Sequence, residues 1–318
     1  MSNNDESQTK EMAPSDAAPD PQFMKKFEEV LDSWAEATST GKTAEANLAA
    51  MQALLMAGEE SRKNPSPEVM LKNEADDLES KGNWREAEAV RRKVVDLAES
   101  SGHFGRIAGA QLDLCRLLRL VGRREEAWQL ACAAAVSARR TKIFPLLVTA
   151  LVREAFCALD EGDSAKALAA ASEAVQVVEP GKLYDHERAR ALTTRARCLL
   201  AHGDPASAES DLASAWDLLE AKSASWMMPG IIWTLANWWE VKSRLAERLG
   251  NLVYAREAMT AAIACYRQLS GPHALVALAR ALEKLGEMSR ACGDVAVEAR
   301  SLGETKSIRQ SLQLSAGS

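Results

Sequence analysis

Residues 192–215 read LTTRARCLLAHGDPASAESDLASA, and their spacing decides the fold. Leu192, Ala196 and Leu199 stand 11, 7 and 4 residues before Gly203, while Ala208, Leu212 and Ala215 stand 5, 9 and 12 after it. Both series step by four and three, so each makes one stripe along a helix. Gly203 accepts the left-handed backbone that closes a helix without steric cost. Small residues seven before and five after it let the two helix axes approach to about 8–9 Å. The stretch predicts an antiparallel helical hairpin with a short Gly-Asp turn.

The same arrangement recurs outward in both directions. Gly41, Gly82, Gly122, Gly162, Gly203, Gly250 and Gly293 follow one another at steps of 41, 40, 40, 41, 47 and 43 residues. Five after each stand Ala46, Ala87, Ala127, Ala167, Ala208 and Ala255, with Glu298 departing in the last unit. Seven before come Ala75, Cys115, Ala155, Ala196, Ser243 and Gly286, all small. Eleven before come Leu71, Leu151, Leu192, Trp239 and Leu282, with Gln111 as the exception. A period of this size means stacked helical units. Helix pairs are predicted at 23–40 and 43–60, 67–81 and 84–100, 105–121 and 124–139, 143–161 and 164–178, 184–202 and 205–221, 228–249 and 252–270, and 272–291 and 295–313. The chain reads as all-α.

Composition agrees. Of 318 residues, 47% are hydrophobic, which excludes a wholly disordered chain. Only three Tyr and five Phe are present, a poor stock for a β-protein. Residues 1–21 hold −4 of the formal charge of −6, so the rest is a mixed surface with no pull toward nucleic acid. Residues 1–22 are expected to be a disordered acidic tail, 23–66 an N-terminal helical pair or cap, and 67–318 a solenoid of about six helix pairs. No stretch has the roughly 18 apolar residues that span a membrane, and the first residues lack the apolar core of a secretory signal. The six cysteines fall in helical patterns without a CxxC, as buried hydrophobes do, and imply a reducing cytoplasm.

The repeat resembles the tetratricopeptide family: a bulky residue early in helix A, a small one four later, a Gly-Asp or Gly-Asn turn, then two alanines in helix B. The likeness covers roughly 68–300, and the 40-residue period looks like the longer-helix variety of kinesin light chains and bacterial regulators. It implies a right-handed α-solenoid whose helix A lines a concave groove with the residues 13, 10, 6 and 3 before each glycine. Arg116, Arg119, Arg190, Arg197 and Arg244 would then form a cationic strip, with Asn237 and Arg280 in the same register. Arginine suits carboxylate or phosphate through its planar fork. The alternative is that these arginines pair internally with Glu240, Glu247 or Asp113.

A second candidate is SASWMMPGIIWTLANWWE, residues 223–240, at the one enlarged step. Trp233 falls on the groove face and Trp239 on the core stripe, while Trp226 lies in the loop. Such residues either anchor a partner or plug an irregular joint. Other chemistry is absent from the pattern. Gly41-Lys42-Thr43 ends like a phosphate loop but has Glu36 where the first glycine belongs. His103, His186, His202 and His273 have no partner at metal-ligand spacing.

The expectation is therefore a cytoplasmic, non-catalytic scaffold or adaptor without cofactor or metal. Its partner would be another protein or a peptide, an acidic one being an option, rather than nucleic acid or membrane. Homo-oligomerisation through Trp226 is a further option. A peptide-sensing regulator of the same repeat type is the alternative.

Overall fold

The computed structural model describes residues 66–141, 143–178, 185–220 and 229–312. The chain divides into two units, 1–67 and 68–318, and the second is the subject below. The helical pair expected at 23–60 and the loop residue Trp226 lie outside the described residues.

Twelve helices and no strand occupy the described residues. They are α1 (Pro67–Ser80), α2 (Trp84–Ser100), α3 (Phe104–Leu120), α4 (Arg124–Arg139), α5 (Phe144–Asp160) and α6 (Ser164–Val177). After these come α7 (Asp185–His202), α8 (Pro205–Glu220), α9 (Pro229–Arg248), α10 (Leu252–Tyr266), α11 (Pro272–Ala291) and α12 (Val295–Ser311). Each predicted boundary in this region falls within a few residues of the observed one.

One turn chemistry repeats. Gly162 and Gly203 take φ of 81° and 94°, a region costly for any residue with a Cβ. The amide after each glycine then reaches back to a carbonyl of the closing helix, from Asp163 to Ala158 and from Asp204 to Leu199, both 2.9 Å. The same aspartates begin the next helix: Asp163 accepts from the Lys166 amide at 2.9 Å and Asp204 from Ser207 at 3.0 Å. A Gly-Asp pair thus stops one helix and caps its successor.

Small residues then bring the pair together. Ala75, Cys115, Ala155, Ala196 and Ser243 are fully buried, as are Ala87, Ala127, Ala167, Ala208 and Ala255 opposite them. The Ser243 hydroxyl donates to the Ala255 carbonyl at 2.7 Å, direct proof that these two registers touch. The main core runs without a break from α3 to α9 through Leu112, Leu151, Leu192, Leu212 and Leu245. Cys115 and Cys157, 42 residues apart, come within 3.7 Å at their sulfurs, a juxtaposition that sequence spacing did not reveal.

The first helices α3, α5, α7 and α9 neighbour one another, so they form one wall. That wall meets itself. His273 of α11 lies 3.0 Å from Glu79 of α1, and the Trp84 indole of α2 donates to the Leu312 carbonyl at 3.0 Å. Leu120, Val276 and Leu312 are buried together there. The second unit is thus a ring of six helix pairs around a hollow, the concave face having its two ends in contact.

Candidate functional site

The hollow holds two adjoining cavities, of 820 Å³ and 580 Å³. The larger is lined from α5 by Thr149, Val152, Arg153, Phe156, Leu159 and Asp160. These stand 13, 10, 9, 6, 3 and 2 before Gly162, and α7 repeats the same six offsets before Gly203. The 13-10-6-3 register therefore faces inward, with two flanking positions that the register does not name.

The sequence-predicted arginines all line this hollow, but their electrostatic states differ. Arg197 is 9% exposed and donates to Glu240 at 2.9 Å and to the Asn237 side-chain oxygen at 3.0 Å. Arg244 donates to the same Glu240 at 2.7 Å, and the Tyr266 hydroxyl adds a third bond at 2.9 Å. Burial acts to raise the Glu240 carboxyl, yet the charges of Arg197 and Arg244 hold it down to about 2. Arg197 and Arg244 thus form the internal pairs that the sequence reading kept open, with Glu240 as their shared partner.

Arg119 donates to Asp160 at 2.7 Å and stacks 5.4 Å from the centre of the Phe156 ring, which Arg197 approaches at 5.3 Å. Arg190 donates to Thr149 at 2.7 Å and pairs with Glu187. Arg116 is held loosely, 3.8 Å from Glu79 and 3.9 Å from Asp113. Asn237 also donates to the Trp233 carbonyl at 2.8 Å, and the Trp233 ring meets Tyr266 edge-on at 5.7 Å.

Three lining cations stand apart. Arg153, Arg248 and Arg280 form no ion pair or hydrogen bond among the described residues. The Arg153 Nε is buried without a partner, as are those of Arg116, Arg190 and Arg197, whose terminal nitrogens are paired. Burial, reinforced by repulsion from Arg119, holds the Arg153 guanidinium down to about 10, so it stays charged at neutral pH. Burial lowers Arg280 as well, and Arg119 adds to the effect. Arg153 escaped the sequence reading because it sits nine before Gly162, off the named register. Its signal is its step of i, i+3 to Phe156.

Among the described residues, no group of three or more His, Cys, Asp or Glu could hold a metal ion. No helix there is long and apolar enough to cross a membrane.

No family model and no curated protein matches the chain. Solved structures do resemble it. A Rap protein complexed with competence and sporulation factor gives a TM-score of 0.59 at 14% identity, over 88% of this chain and 74% of that one. The apo form of RapI gives 0.58 at 8% identity, over 91% of this chain and 99% of that one. BtubC from P. vanneervenii gives 0.50 at 16% identity, over 74% and 94% respectively. Identities so low carry the architecture and nothing finer. The chain has the fold of the tetratricopeptide-type helical repeat proteins.

Proposed function

We propose that this protein is a non-catalytic interaction scaffold that takes an extended, acid-bearing segment of a partner protein or peptide into its ring. The observation that carries this reading is the inward-facing wall: successive first helices present one register to one hollow, with three arginines there, Arg153, Arg248 and Arg280, left without a carboxylate. Desolvating an unpaired cation costs free energy, and an acidic group from a partner would offset that cost. The Rap structure, which holds competence and sporulation factor, is a relative in fold that is complexed with a separate molecule.

The test is affinity capture from a native lysate with quantitative mass spectrometry. Wild type is compared with an interior variant, Arg153→Gln with Arg280→Gln, and an exterior control, Arg92→Gln with Arg139→Gln. The interior pair is cleaner than Arg197→Glu with Arg244→Glu, which would crowd new carboxylates against Glu240. Proteins enriched by wild type should be retained by the exterior control and lost from the interior variant. Equal retention by both variants would remove the reading.

The meeting of α1 and α2 with α11 and α12 favours a second reading, a ligand-responsive regulator. A segment that fills the hollow would then change the closure contact between Glu79 and His273.

A further inference from the structure

Five residues, Arg119, Arg153, Trp233, Ala277 and Arg280, line both cavities and so mark the seam between them. Three of the five are arginines. Only Arg119 has a carboxylate, Asp160 at 2.7 Å. Arg153 comes from α5 and Arg280 from α11, so the two side chains reach the seam from different stretches of the wall.

We infer that this seam is a receptor for a single oxyanion group, a carboxylate or a phosphate carried by the captured segment, with Arg153 and Arg280 as its two forks. The assignment rests on the interior being the partner site, and it names the chemistry that the partner brings.

Guanidinium forks pair with either oxyanion through two parallel hydrogen bonds. Trp233, on the same seam, offers an apolar face to the side chain beside that group. A polyanion such as nucleic acid is disfavoured, because Glu247, Glu283 and Glu287 line the larger cavity and would repel successive phosphates. One anionic group flanked by neutral residues fits the charge pattern. A run of anionic groups does not.

The experiment is thermal denaturation of the full chain with three added probes. They are inorganic phosphate, an acetylated and amidated Gly-Glu-Gly, and the matching Gly-Gln-Gly. A ligand present at about tenfold its dissociation constant should raise the melting midpoint by roughly 3 °C in a protein of this size. Phosphate, the glutamate peptide or both should do so in wild type, and the glutamine peptide should not. The shift should vanish in the Arg153→Gln, Arg280→Gln variant, whose own midpoint should not fall, since neither arginine makes an ion pair.

Should the double variant fold poorly, Arg280→Gln alone serves, because that side chain is exposed to the cavity. It should weaken the glutamate peptide or phosphate at least tenfold. Response to the glutamate peptide identifies a polypeptide carboxylate, and response to phosphate alone identifies a phosphorylated source. Equal shifts in wild type and variant, or none from either anion up to about 10 mM, would overturn the assignment. Partner capture is read separately, so a scaffold that still captures while ignoring both anions would fail the receptor and spare the scaffold.

Discussion

Arg197 and Arg153 face one hollow under opposite rules. Arg197 has Glu240 as its carboxylate partner, and cutting that link leaves a buried charge without a counter-charge. Glu240→Gln should therefore lower unfolding free energy by about 3 kcal/mol, read from urea denaturation. Arg153→Gln should stay within about 0.5 kcal/mol of wild type or exceed it, because it removes a desolvated, repelled cation. A comparable loss in both variants would mean that the two arginines are equivalent. This difference was only half legible in the sequence. Helical offsets place Arg197 and Arg244 inward and name Glu240 as a possible partner, but whether three side chains converge on one carboxylate depends on rotamers. Arg153 stayed hidden because a register borrowed from four positions ignores the two that flank them.

Each helix pair is specified locally, which explains why so much of the fold could be read. At Gly203 the backbone is left-handed, so Gly203→Ala should cost about 1–2 kcal/mol although nothing lies within 4 Å of the added Cβ. Asp204→Ala should cost about 1 kcal/mol through the lost cap on α8. Thermal midpoints of the two single variants check both, and an unchanged Gly203→Ala midpoint would contradict the turn account. Small residues at fixed offsets report where axes cross, so pairing could be inferred without a structure. The Cys115–Cys157 contact could not, because it joins offsets seven and five from successive glycines across a unit boundary. Such contacts depend on the rotation between units, which no local pattern encodes.

Closure of the ring belongs to the second unit as a whole and is the sum of those rotations, which is why the sequence implied a concave groove without showing that its ends meet. It also carries a pH dependence. Burial holds His273 down to about 4, so it is neutral at pH 7 beside Glu79, with Arg116 and Arg153 as further positive neighbours. Burial works to raise Glu79, but the hydrogen bond with His273 and the charge of Arg91 hold it at about 2. In an opened ring His273 relaxes toward its ordinary value near 6.5, while Glu79 keeps Arg91 of the adjoining helix as its partner. The open form then binds more protons, so closure is complete above about pH 6.5 and weakens as pH falls toward 4. Small-angle scattering should show a larger radius of gyration at pH 4.5 than at pH 7.5, and His273→Gln should shrink that difference. A wild-type radius unchanged across that interval would argue against closure through His273.

The central claim is that partners enter the ring rather than bind its outer face. A photo-cross-linking residue at Ala277, on the seam of both cavities, tests it against the same residue at Val136, which is 58% exposed and lines neither. After irradiation in native lysate, Ala277 should yield discrete covalent adducts and Val136 none. Adducts at Val136 with an unreacted Ala277 would contradict the account.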